Sequence, residues 1–212
     1  VKFGLSPFGI WRPGHPPSVE GFDQYEQLYA DAKRWLNEGW IDYFAPQLYW
    51  PINRQSQSYP VLLGWWSSEN IKQRHLWPGI SVGRDTGSRT VNETINQIMI
   101  SRGMLPNSKG VIHWSISSDI RNTKLAEAMK QGVYRKPALV PASRWLDDTP
   151  PAMPQVNLET RKGKLIINRI GDNKDVFRWV VYYQYGSKWS YAVLNRNDRH
   201  FELNTEATPS HN

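Results

Sequence analysis

The sequence has 212 residues, 39% of them hydrophobic, and a formal net charge of +7, which suits one globular domain or two. It contains no cysteine, which excludes disulfides, thiol catalysis and zinc–thiolate sites, and no apolar run approaches the roughly 20 residues that span a bilayer as a helix. Tryptophan is over-used at 11 copies, and each brings a flat apolar face with one N–H donor, so the excess points to surfaces that stack on rings such as sugars or bases.

Up to Lys136, an apolar stretch of strand length precedes a segment of helical spacing four times over, the alternation of βα units around a parallel sheet. The first predicted strand runs from Lys2 to Phe8. A Pro/Gly-rich loop, WRPGHPPSVEG, leads to a predicted helix with Tyr25, Leu28, Tyr29, Ala32, Trp35 and Leu36 on its core face, stopped at Gly39. Ile41 to Tyr49 is the second strand, with Trp40 and Tyr43 expected in the core, and Tyr59–Trp66 is a shorter helix whose Trp65-Trp66 pair reads as packing. Leu76 to Val82 is the third strand. Its helix opens with Thr90-Val91-Asn92-Glu93, a capping-box pattern, and buries Ile95, Ile98 and Met99. Gly110 to Ile116 is the fourth strand, and Leu125, Ala126 and Met129 mark a last helix ending near Gly132.

From Lys136 to Pro154 the sequence turns to KPALVPASRWLDDTPPAMP, whose proline density reads as a linker over residues 137–153. Beyond it the period changes to two in KLIINRI, FRWVVYYQYG, KWSYAVL and HFELN, an all-β module of about five short strands over residues 154–212.

In parallel α/β folds ligands sit at the carboxyl ends of the strands. Those ends carry Ser6-Pro7-Phe8-Gly9, Pro46-Gln47-Leu48-Tyr49-Trp50, Ser81-Val82-Gly83-Arg84-Asp85 and His113-Trp114-Ser115. Strand alternation sets Gln47 and Tyr49 on one face, and an amide beside a phenol and an indole can grip a sugar's hydroxyls and stack on its C–H face. The candidate substrate-binding residues are therefore Phe8, Trp11, Gln47, Tyr49, Trp50, Asp85, His113 and Trp114. Each also has a plainer reading: Trp11, Trp50 and Trp114 as lids on a core, His113 as a hydrogen-bonded structural histidine, Asp85 as a surface or capping residue.

The strand ends lack a feature that glycosidic cleavage ordinarily needs, a pair of carboxyl groups. None delivers Asp or Glu at its last residue; Asp42 lies at the wrong end of its strand, and Asp85 and Asp119 follow strand ends in loops. There is no Gly-rich phosphate loop, no serine elbow and no histidine pair at ligand spacing, so neither cofactor nor metal is expected. Most of the positive charge lies before residue 146, dispersed singly or in pairs such as Lys33-Arg34 and Arg135-Lys136. That balance suits an anionic partner or a solvated surface, and Trp and Lys/Arg do not interleave on a nucleic-acid module, so no nucleic-acid partner is expected.

The phrases KFGLSPFGIWRP, YEQLYADAKRWLNEGWIDYFAPQLYW, YPVLLGWW, LWPGISVG and GVIHWSIS follow one another in order over residues 1–136. Together they resemble the second half of the bacterial glycosyl-hydrolase-like 10 family, also known as domain of unknown function 187. The resemblance implies a TIM-type (β/α)8 barrel of which this chain holds strands five to eight, in an exported envelope protein, often a lipoprotein. It further implies activity on peptidoglycan glycan strands freed of their stem peptides, with an acidic motif of the type Phe-Asp-Asp-Tyr ending the fourth strand, upstream of this sequence. The catalytic residues are then expected in the preceding half, and this half supplies Ser6, Pro7, Phe8, Trp11, Gln47, Tyr49 and Trp50; Asp31 reads as structural. Residues 154–204 look like part of a fibronectin type III module, departing from it in the absent Trp of the second strand. VKFGLSPFGIW opens within a strand without an initiator Met, so the chain reads as part of something longer, its half-barrel face covered by the preceding half or by another copy. The alternative is a non-catalytic glycan-binding or scaffolding protein of the envelope.

Overall fold

The computed structural model describes residues 1–82, 88–105, 107–171 and 176–205. The chain divides into two compact units, one formed by Val1–Lys136 with Pro141–Ser143, the other by Pro137–Val140 with Arg144–Asn212.

The first unit is mixed α/β. Its strands are short: β1 (Gly4–Leu5), β2 (Tyr43–Phe44), β3 (His75–Leu76), β4 (Gly79–Ser81) and β5 (Ile112–Trp114). All pairings are parallel, β1 to β2, β2 to β3 and β4 to β5. Isolated bridges from Gln47 to both Phe8 and Gly79 carry the pairing further along, so β3 and β4 act as one row interrupted at Trp77-Pro78. Toward β2 the row keeps its donors at Trp77 and Gly79, and the break falls where Pro46 has no N–H for the Trp77 carbonyl, while Pro78 has none for the β5 side. The four rows therefore lie side by side in chain order, as the sequence predicts, with each strand trimmed at its ends.

The helices fill the connections. The predicted first helix is two: α1 (Gln24–Leu28) and α2 (Ala32–Glu38), separated by Tyr29, whose φ of 53° is left-handed. Asp31 starts α2 afresh, its carboxylate accepting from the N–H of Arg34. The break turns the first half of the expected stripe outward: Tyr25, Leu28 and Tyr29 are exposed, Tyr29 at 91%, whereas Ala32 and Leu36 are fully buried. In their place α1 buries Gln24, whose Nε2 donates to the carbonyls of Phe8 and Ile10. Trp40, expected in the core, is exposed, and Tyr43 is half-buried against Gly4 and Trp77.

Helix α3 (Tyr59–Glu69) buries Tyr59, Leu62, Leu63 and Trp66. Helix α4 (Ser88–Met104) starts earlier than the capping-box reading requires, so Thr90 lies inside it and not at its cap. Its buried face is Thr94, Gln97, Ile98, Ser101 and Leu105 just beyond it, more polar than expected, and Met99 is exposed. Tyr59 and Ser101 share a hydrogen bond of 2.7 Å, and Ser101 donates back to the Gln97 carbonyl, which satisfies these buried hydroxyls. Helices α5 (Ile116–Arg121) and α6 (Thr123–Gln131) complete the unit, α6 burying Leu125 and Met129. The core runs unbroken from Ile10 and Val19 through Leu36, Phe44, Leu48, Leu63, Trp66, Leu76 and Ile80 to Ile98 and Leu125.

The second unit is antiparallel β. Strands β6 (Gln155–Arg161), β7 (Lys164–Ile170) and β10 (His200–Asn204) form a sheet in the order β10-β7-β6, and β8 (Arg178–Tyr185) pairs with β9 (Lys188–Asn195). Tyr183 packs on Phe201 with ring centroids 6.1 Å apart, and the Tyr185 hydroxyl donates to the Asn204 carbonyl, so the two sheets are joined through β8 and β10. All seven residues of β6 are exposed.

Candidate functional site

The segment Pro46–Ile52 leaves the sheet at its carboxyl end, and its path is set by backbone bonds. Gln47 N donates to the Pro7 carbonyl, and Leu48 N to the Gly79 carbonyl, so this segment spans the rims of three rows. Leu48 is fully buried while Gln47 and Tyr49 on either side are half-exposed, the alternation a strand imposes.

Two glycines make room for the side chains. A Cβ on Gly9 would strike the Gln47 carbonyl and stand 2.8 Å from Cζ3 of Trp50; one on Gly79 would stand 3.2 Å from Cε1 of Tyr49. With that room, Trp50 meets Phe8 edge-on at 5.5 Å between centroids, and Tyr49 stacks on Trp114 at 6.4 Å with 24° between the planes. Trp114 ends β5 and remains 64% exposed. Partial burial pushes the Tyr49 phenol above its ordinary pKa, so at neutral pH it is a hydroxyl and a donor.

Beside this pair lies a cavity of about 340 Å³, lined by Tyr49, Trp50, Pro51, Arg54, Ser81, Glu93 and Gln97. It sits where β2 and β4 end and α4 passes, the position parallel α/β folds use for ligands. Its polar side comes from α4. Oε1 of Glu93 accepts from Ile52 N at 2.7 Å and from Nε2 of Gln97 at 2.9 Å, and the same Nε2 donates to the Trp50 carbonyl at 3.1 Å. Arg54 at the rim directs Nε to Oε1 of Gln57, 2.6 Å away.

Of the candidate residues, Tyr49 and Trp50 line the cavity, Trp114 extends it by stacking, and Phe8 supports Trp50. Gln47 spends its Nε2 on the Ser6 carbonyl at 3.0 Å. Trp11 is brought elsewhere: it stacks on Trp65 at 6.0 Å, meets Tyr25 and His15 edge-on, and gives its indole N–H to Asp31. His113 has both ring nitrogens engaged, Nδ1 with Asp119 at 3.0 Å and Nε2 with the Tyr134 hydroxyl at 3.0 Å, which ties β5 to α5 and to the segment after α6. Asp85 lies outside the described residues.

Three lining residues, Glu93, Gln97 and Arg54, are not among the candidates that the sequence offers. The sequence pattern places Glu93 at a helix cap; its spacing of four from Gln97, which puts both on one face of α4, is the signal that fits its position in the cavity wall. Among the described residues no group of three His, Cys, Asp or Glu side chains could hold a metal ion. The cavity can stack on a ring and accept or donate hydrogen bonds, and Glu93 is the carboxylate among its described lining residues.

The chain is similar in sequence to known proteins. A family model described as Glycosyl hydrolase-like 10 matches residues 1–97, which include Tyr49, Trp50, Glu93 and Gln97. The chain is 34% identical over 221 aligned positions to Glycosyl hydrolase YngK of Bacillus subtilis, covering 94% of this chain and 42% of that protein. It is 45% identical over 71 positions to Glycosyl hydrolase DigH of Escherichia coli K12, covering 32% of this chain and 16% of that protein. The chain thus spans less than half the length of these relatives. The likenesses support the glycosyl hydrolase-like 10 resemblance.

Proposed function

We propose that this chain is part of a bacterial envelope glycoside hydrolase of the glycosyl hydrolase-like 10 family, acting on glycan strands of peptidoglycan that lack stem peptides. The observation that carries the reading is the Tyr49–Trp114 stack beside the Glu93–Gln97 cavity at the carboxyl rim of parallel strands. Stacked rings next to hydrogen-bonding groups match the two chemistries of a sugar, apolar on its C–H face and polar at its edge. This half binds the glycan, and the acid and nucleophile come from the preceding half of the protein.

In this reading the first unit is strands five to eight of a TIM-type barrel. The support is four parallel rows in chain order with helices in the connections. The second unit is a partial fibronectin type III-like module; its support is the split of five antiparallel strands into a three-stranded sheet β10-β7-β6 and the pair β8-β9. Its second strand, Leu165-Ile166-Ile167-Asn168, lacks the Trp usual there.

The test is turnover of peptide-free glycan strands by the full-length protein. Tyr49→Ala and Trp114→Ala are each expected to lower it about tenfold, the scale of one lost stacking contact. Unchanged turnover in both variants would sink the site. A second reading, non-catalytic glycan binding, is favoured by the single carboxylate among the described cavity residues; it predicts that the full-length protein binds these strands without shortening them.

A further inference from the structure

The polar wall of the cavity is built for more than packing. Gln97 is buried, and its amide orientation is fixed by chemistry: Nε2 faces two acceptors, the Trp50 carbonyl and Oε1 of Glu93, and the flipped amide would set oxygen against both. Glu93 in turn accepts from Ile52 N and from Gln97 through one oxygen, Oε1. These bonds clamp Trp50 and Ile52 to α4 and hold the carboxylate in one orientation. Its second oxygen, Oε2, has no hydrogen-bond partner among the described residues, while Glu93 lines the cavity. A carboxylate oxygen can only accept, so it selects a ligand with hydroxyl or amide donors.

Resting on the reading of this cavity as a glycan site, we infer that Glu93 is a substrate-positioning residue. Its Oε1 locks the aromatic wall in place, and its Oε2 takes a hydroxyl or N-acetyl N–H of the sugar lying against Tyr49 and Trp50. Gln97 is the brace that keeps Oε1 turned away from the ligand. A hydrogen bond to an ionised group is about twice as strong as a neutral one, so this contact contributes much of the fit between cavity and sugar edge.

The substitution Glu93→Gln separates the two duties. The new amide oxygen can still accept from Ile52 N and Gln97, preserving the clamp, while its NH2 group replaces the acceptor in the cavity with a donor. In the full-length protein, Glu93→Gln is expected to leave the melting temperature unchanged and to weaken binding of soluble, peptide-free glycan-strand fragments about tenfold or more. Glu93→Ala is expected to lose both stability and binding. Wild-type affinity in Glu93→Gln with impaired Glu93→Ala would reduce Glu93 to a clamp and overturn the inference while leaving the glycan site standing. Failure of the wild-type protein to bind the fragments at all would overturn the inference together with the reading on which it rests.

Discussion

Tyr49 and Trp50 are neighbours in the chain, yet each needs a different glycine to reach its place. Gly79 lies under the edge of Tyr49 and Gly9 under Trp50 and the Gln47 carbonyl. At Gly9 the obstacle to a side chain is partly backbone, which cannot swing away, so the space is a requirement and not a tolerance. Gly9→Ala is therefore expected to destabilise the fold by about 1–3 kcal/mol, the range for overpacking a filled site. Urea denaturation would measure it, and loss of sugar binding should accompany it because Trp50 is displaced. A variant as stable as wild type would show that the rim yields more than its packing implies.

At the scale of elements, Asp31 links a helix to an aromatic cluster. Its carboxylate accepts from Arg34 N, starting α2, and from the indole N–H of Trp11. Removal in Asp31→Ala costs a cap, about 1 kcal/mol, and leaves the Trp11 N–H to find another partner. The expected result is a lowered thermal midpoint with unchanged glycan affinity, since Trp11 stacks on Trp65 and not on the cavity. Lost affinity would return Trp11 to the site. The same region marks what the sequence could and could not reveal. The order and parallel sense of the rows were legible because apolar runs alternate with helical spacing. The break at Tyr29 was not, because the spacing of Tyr25, Leu28 and Ala32 fits one continuous helix and only the caps at Asp23 and Asp31 reveal two. Tyr49, Trp50 and Trp114 could be read from their positions at strand ends. Glu93 could not, since it reaches the cavity from a helix, where a capping pattern offered a local explanation that tertiary contacts override.

For the whole molecule, the open edges matter most. Among the described residues β1 pairs only with β2 and β5 only with β4, and Ile112, Trp114, Ile116 and Ile120 are exposed at and after β5. Unpaired edge strands beside apolar surface are templates for association. We expect the 212-residue chain produced alone to self-associate in light scattering, and Ile112→Lys to reduce that association. A stable monomer at high concentration would contradict the proposal that further strands complete this sheet. The second unit carries an edge of another kind. Strand β6 is bound to β7 along its full length, yet buries none of its side chains. Its attachment is a zipper of main-chain bonds with no apolar adhesive behind it, so this margin is where the module begins to fray, one rung at a time, before its interior is disturbed.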